Sequence, residues 1–179
     1  MLSEKYKKEI IPAMKEKFLY KNDLAVPKIK KAIINAGIGS FAKDEQTQQL
    51  VAKDLTLIAG QKPVPTQAKK AISAFKTRKG MVVGLKVTLR GKRMFDFLSR
   101  LINVALPRTR DFRGLPQKSV DKSGNLTIGI REHIIFPEVS SEDIKKIFSL
   151  EVTVVSSAKT REEALELFKL MGFPLKKEE

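Results

Sequence analysis

Six consecutive residues, Gly37-Ile38-Gly39-Ser40-Phe41-Ala42, match the G-x-G-x-x-A spacing that cradles a pyrophosphate. In that chemistry the glycines let backbone approach the phosphates, and a following helix N-terminus offers free N–H groups to the charge. It also needs a carboxylate at the end of the next strand to hold a ribose. Here the next strand candidate ends in Thr66 and Gln67, and the carboxylate at the right distance, Asp54, falls in the middle of a helical pattern. The glycines are therefore read as a tight turn leaving a strand. A nucleotide-binding enzyme is the rival reading, which thermal stabilisation by NAD or ATP would revive.

No other reactive set emerges. The chain has one histidine and no cysteine, so neither thiolate nor polyhistidine metal sites are available. His133, beside Ile134 and Ile135, is expected to be structural or RNA-facing rather than catalytic. G-x-S-x-G, H-E-x-x-H and the phosphate-loop lysine pattern are all missing from the sequence. Asp111 and Glu132 are expected to pair with nearby arginines. No catalytic residue, metal or cofactor is expected.

Periodicity places these residues on elements. Glu4 to Phe18 reads as an amphipathic helix with Tyr6, Ile10, Met14 and Phe18 on one face, kinked or shortened by Pro12. Asn22 to Pro27 is a loop. Lys28 to Ala36 is a strand, apolar on both faces toward its end and so central in a sheet. Glu45 to Ala59 is a helix with Leu50, Val51, Leu55 and Ile58 as its stripe and Gly60 as its stop. Pro63 to Thr66 suits a short edge strand. Val82 to Arg90 alternates most clearly, with Val83, Leu85, Val87 and Leu89 inward and Gly84, Lys86, Thr88 and Arg90 outward. Lys92 to Ala105 is a helix stopped by Pro107. Arg108 to Gly124 is a long basic loop with a turn at Ser123-Gly124. Asn125 to Arg131 and Leu150 to Ser156 are strands, Ser141 to Phe148 a short helix, and Thr160 with Glu163 opens the last helix as a capping box. Strands and helices mix without a βαβ beat, which predicts an α+β fold with a mainly antiparallel sheet. At 179 residues the chain suits a single domain, residues 1–179, with two small lobes as the alternative.

Charge is the strongest compositional signal. Lys plus Arg number 35 against 20 Asp plus Glu, a net +15. Between Lys62 and Lys118 there are 15 basic residues and only Asp96 and Asp111, so this third carries +13. Such segregation attracts a polyanion. Lys86 and Arg90 are placed to meet phosphates, and Thr88 a 2′-hydroxyl or base edge. Ser73 to Gly80 (SAFKTRKG) reads as an irregular, mobile basic loop able to wrap a backbone. Its aromatic, Phe75, is expected to be buried rather than stacked on a base. With few aromatics on this surface, structured, double-helical RNA fits better than a single strand. A nonspecific protein coating DNA is the second rival, favoured by equal, salt-limited binding to duplex DNA. No apolar run approaches the roughly 18 to 20 residues that span a bilayer. The N-terminus lacks the apolar core of a signal peptide. A soluble, reducing, cytoplasmic setting with no membrane partner is expected.

Four longer motifs add a family resemblance: Ile58-Ala-Gly-Gln-Lys-Pro-Val64, Lys86-Val-Thr-Leu-Arg-Gly91, Leu106-Pro-Arg-Thr-Arg-Asp-Phe-Arg-Gly114 and Gly129-Ile-Arg-Glu-His-Ile-Ile-Phe-Pro-Glu138. In this order, from Tyr6 to the Met171-Gly-Phe-Pro174 ending, the chain resembles the bacterial branch of the large-subunit ribosomal protein five family. The resemblance implies a five-stranded sheet backed by helices on one face, in two family segments at about 24–80 and 84–177. It implies attachment of 5S rRNA to the large subunit in the central protuberance, with 23S rRNA and neighbouring large-subunit proteins as further partners. The 5S-binding positions it implies are Asn35, Gln61, Thr66 and Thr88, with Lys86 and Arg90 nearby. Ser73, Phe75, Lys76, Arg78 and Lys79 correspond to a loop reaching P-site tRNA. Arg108, Arg110 and Arg113, with the helix start from Ser140 to Lys146, correspond to a bridge to a small-subunit protein. The chain departs from the family at Ala36, where methionine is expected, and at Phe41, which leaves the contacts of the Asn35–Phe41 turn less defined than those of Thr88.

Overall fold

The computed structural model describes residues 2–41, 44–139 and 146–176, apart from the Ser40 side chain. Five strands form one sheet in the order β2-β3-β1-β5-β4: β1 (Ile29–Gly37), β2 (Val64–Gln67), β3 (Val82–Leu89), β4 (Leu126–Ile130) and β5 (Leu150–Ser156). β2 and β3 pair antiparallel. The Ser157 amide donates to Lys28 O, which sets the start of β1 against the end of β5, and the Ile38 amide donates to Val83 O, which sets the end of β1 against the start of β3. The α+β class, the antiparallel sheet, the central β1 and the proline-bearing edge strand β2 are as the sequence predicts.

The chain divides into two compact units. One comprises the chain up to Ala32, Leu89–Ile128 and the chain from Thr153 onward. Its N-terminal helix runs as α1 (Leu2–Lys5), a π turn (Tyr6–Ile10) and α2 (Ile11–Phe18). The expected kink at Pro12 is absorbed by that π turn. The Ile11 amide donates to Tyr6 O, five residues back. A regular α-turn would set the proline ring against the carbonyl four residues earlier, and the wider turn relieves that clash. The same device recurs after α4 (Gly91–Arg100): the π turn Leu101–Ala105 ends with the Leu106 amide donating to Leu101 O, and Pro107 follows. Ile10, Met14, Met94, Phe97, Leu98 and Leu101 are buried here. Phe95 and Ile102 are only half-buried.

Helix α5 (Arg161–Leu170) has the expected capping box, with both Thr160 and Glu163 side chains satisfying backbone amides. Lys17 of α2 pairs with Glu166 of α5 at 2.7 Å. In the turn before β4, Gly124 has φ +78°, and a Cβ there would lie 2.9 Å from Ala158 Cβ. Both conformation and space therefore demand glycine.

The other unit comprises Ile33–Thr88 and Gly129–Val152. Helix α3 (Glu45–Ala59) buries Val51, Leu55, Ile58 and Ala59, while Leu50 is half-exposed. Gly60 ends it in the left-handed conformation at φ 65°. The helix expected over Ser141 to Phe148 is corrected where it can be seen: Lys146 to Phe148 are not helical. The rest of that expected helix, like Ser140 to Lys145 of the expected bridge contact, lies outside the described residues.

Candidate nucleic-acid interface

Alternation along β1 and β3 leaves a polar surface on the second unit. Asn35 is exposed between buried Ile34 and Ala36; Lys86 is exposed and Thr88 half-exposed among buried Leu85, Val87 and Leu89. In the β2–β3 register Val64 faces Lys86 and Thr66 faces Gly84. Gly84 is buried, and a Cβ there would fall 2.6 Å from Thr66 Oγ1, 3.2 Å from Ala36 O and 3.8 Å from Asn35 Oδ1. The missing side chain lets a hydroxyl and an amide converge, with exposed Lys86 two residues along the strand, a donor–acceptor set suited to phosphate, 2′-hydroxyl and base edge. Asn35 and Thr66 are thus brought together over Gly84, and Lys86 and Thr88 follow at alternate positions along β3. Gly84→Ala is expected to cost roughly 1–3 kcal/mol by overpacking against the Ala36 carbonyl and Thr66, read as a lowered thermal midpoint.

Beside Asn35 lies a hollow of about 440 Å³ bordered by Gly37, Gly129, Arg131, Ser149 and Glu151. Arg131 is exposed, and sequence reasoning passed it over. Its signal was present, since it follows inward-facing Ile130 and must turn outward. Two other expected contacts lie elsewhere. Gln61 stands half-exposed in the α3–β2 connection, and Arg90 is an exposed N-cap residue of α4, one position past β3.

Ser73 to Gly80 is largely irregular, as expected, and is tied back by a few backbone hydrogen bonds. Beyond the β2–β3 ladder, Ala68 N–H donates to Met81 O and Gly80 N–H to Ala68 O, the Met81 amide closes a turn on Arg78 O, and an isolated reciprocal pair joins Ile72 and Thr77. A short 3₁₀ turn, Ser73–Phe75, closes the tip with Lys76 left-handed at φ 50°. Ser73, Lys76, Arg78 and Lys79 are all exposed. Phe75 is 75% exposed, which corrects the expectation that it is buried. A hairpin tip two strands wide has no core to receive it.

On the first unit, Arg108, Arg110 and Arg113 are exposed, and Arg110 meets Asp111 only at 3.9 Å, both in solvent. Such an exposed pair leaves the guanidinium available.

His133 is fully buried, stacked on Phe148 at 4.0 Å between ring centroids. Its Nδ1 accepts the Phe148 amide at 3.4 Å, which leaves the proton on Nε2, 3.6 Å from Asp54 Oδ2. Burial lowers its pKa, and Asp54 partly opposes that. This geometry supports the structural reading of His133.

The glycine pair does not form a phosphate cradle. A 3₁₀ turn (Gly39–Phe41) follows β1, and neither Gly37 nor Gly39 has positive φ or a crowded Cβ. The turn leaving the strand is present, but no conformational need for glycine goes with it. The N-terminus of α3 is capped by its own acid: Asp44 accepts the Thr47 amide and hydroxyl at 3.1 and 2.5 Å. Those bonds hold the Asp44 carboxyl below its ordinary pKa, so a carboxylate occupies the place a pyrophosphate would take. Among the described residues no cluster of three His, Cys, Asp or Glu could hold a metal, and no helix is long and apolar enough to cross a membrane.

Two family models match the chain, one for ribosomal protein L5 over residues 22–78 and one for the C-terminus of the same ribosomal family over residues 82–175. Proteins named large ribosomal subunit protein uL5 match along nearly the whole length. That of Halothermothrix orenii is 52% identical over 174 residues, 97% of each chain. Those of Syntrophomonas wolfei and a Thermoanaerobacter species are 52% and 49% identical, covering 98% of each chain. The chain belongs to the ribosomal protein L5 family. L5 proteins are structural ribosomal components rather than enzymes. The seam between the two L5 models, residues 79–81, falls inside the basic hairpin and not at a boundary between the compact units.

Proposed function

We propose that this L5 family member is a component of the large ribosomal subunit that grips 5S rRNA with the face bearing Asn35, Thr66, Lys86 and Thr88. The convergence of Thr66 and Asn35 over Gly84 carries this reading, because it sets neutral hydrogen-bonding groups together on a strand that presents Lys86 two residues on. Phosphate contacts supply most of the affinity, and the neutral groups fix the register. Gln61 and Arg90 extend the contact as flanking positions. The protein thereby attaches 5S rRNA in the central protuberance, against 23S rRNA and neighbouring proteins. The hairpin residues Ser73, Phe75, Lys76, Arg78 and Lys79 reach P-site tRNA, and Arg108, Arg110 and Arg113 face a small-subunit protein across the bridge.

Paired titrations test the division of labour. Thr88→Ala is expected to weaken 5S rRNA binding about tenfold, the scale of one lost hydrogen bond to RNA. Lys79→Ala should leave 5S binding unchanged while weakening a tRNA contact. Equal affinity for 5S rRNA and an unrelated hairpin RNA of the same length would overturn the specific reading, and equal binding to duplex DNA would favour a nonspecific basic protein.

A further inference from the structure

Where the basic hairpin leaves the sheet, its two strands do not stay in step. Gln67 pairs with Val82 whereas Thr66 pairs with Gly84, so Val83 is an extra residue, a β-bulge. Alternation alone would turn Val83 into the core with Leu85 and Val87. It is instead half-exposed, as expected where a bulge re-aims a side chain. It lines a groove of about 580 Å³ with Ala68, Ile72 and Phe75, and Lys69 and Lys70 border the same groove. Gly39 adjoins it and adds no side chain. Ile72 is 47% exposed and Phe75 75% exposed, an apolar exposure out of place on a solvated loop.

We propose that this groove receives a single unpaired nucleobase of a structured RNA, with the flanking phosphates on Lys69 and Lys70. Three observations select this occupant. The groove offers a free aromatic ring face beside branched aliphatic side chains, the surface on which bases stack. Its cations lie in a stretch with no Asp or Glu between Asp54 and Asp96, so the local field is positive throughout. The re-aimed Val83 gives the groove an apolar wall held by the sheet, which suits a compact planar group. The inference rests on the hairpin being an RNA-contacting element, and it changes the mode of contact there from duplex shape to an extruded base.

The test uses the full-length protein and two hairpin RNAs that differ only by one bulged 2-aminopurine in the stem. The bulged RNA is expected to bind about tenfold tighter than the fully paired one, with 2-aminopurine fluorescence quenched on binding. Phe75→Ala and Ile72→Ser should each abolish the preference and the quenching without moving the thermal midpoint, since both side chains are exposed. Lys69→Ala with Lys70→Ala should weaken the bulged RNA more than the paired one. Equal affinities with unquenched fluorescence, together with weakening of both RNAs by Lys79→Ala, would overturn the groove while leaving the hairpin's RNA contact standing. Indifference of both RNAs to Lys79→Ala would overturn the hairpin reading and the groove with it. Displacement of the bulged RNA by anionic phospholipid vesicles, dependent on Phe75 but not on the bulge, would assign the groove to lipid instead.

Discussion

Affinity for 5S rRNA should fall about 250- to 1,000-fold between 50 and 200 mM monovalent salt. The figure follows from counterion release. If six phosphates are engaged, log K falls with log salt at a slope of roughly −4 to −5, and salt rises fourfold over that interval. The chain has the cations for it: ten Lys and Arg lie between Lys62 and Arg93 with no acid among them. Screening acts on those contacts and leaves the neutral groups at Asn35, Thr66 and Thr88 largely untouched. The discrimination between 5S rRNA and an unrelated hairpin should therefore persist at 200 mM salt even as both affinities drop. A filter-binding or anisotropy titration at four salt concentrations measures both quantities. A flat salt response would rule out phosphate contact as the main source of affinity.

His133→Ala should destabilise the folded protein by about 3 kcal/mol, lowering its thermal midpoint by roughly 6–12 °C for a chain of this size. The imidazole is fully buried against the Phe148 ring and accepts that residue's amide, while the His133 amide donates back to Phe148 O at 3.2 Å. Alanine leaves a cavity and a buried amide without its acceptor. The same site sets an acid limb. His133 has a lowered pKa in the fold, so below the ordinary value of about 6.5 the unfolded chain binds more protons than the native one. Stability contributed by the neutral ring is complete above that value and is lost as pH falls toward the folded pKa. His133→Phe should retain the stacking and flatten that part of the pH profile. An unchanged midpoint in His133→Ala would show that the ring does not hold the Phe148 segment.

Much of this was readable from periodicity. β3, α3 and the Thr160–Glu163 box depend on local spacing, and local spacing is what sequence records. Lys86 and Thr88 were identifiable as outward because their neighbours in the strand are large and apolar, whereas Asn35 was marked only by the family resemblance. Features that depend on partners across space were not. The bulge at Val83 arises from a mismatch between two strands, and neither strand alone betrays it. Phe75 looked like a core residue by type, but its position at the hairpin tip denies it a core. The convergence over Gly84 needed the β2–β3 register, which fixes which threonine meets which glycine. At Pro12 the sequence signalled interruption, while the backbone had a π turn as another answer; before Pro107 the helical run ends at Ala105 as expected. His133 could be read as structural from its apolar neighbours, yet its stacking partner lies 15 residues away along the chain.

The paired stretch of β2 and β3, with its bulge at Val83, sets how far the hairpin stands from the rest of the sheet. With a strand rise near 3.3 Å per residue, the four steps from Lys86 out to Val82, where β3 begins, span on the order of 13 Å. Under the proposed function, the length of that paired stretch sets the gap between RNA held on the sheet and RNA met by the tip. Adding one residue to each strand would lengthen it by about 3 Å and turn every outer side chain to the opposite face. Adding two to each would lengthen it by about 7 Å and preserve their facing. Insertions in pairs should thus retune the distance between two RNAs, while insertions of one should scramble the contact.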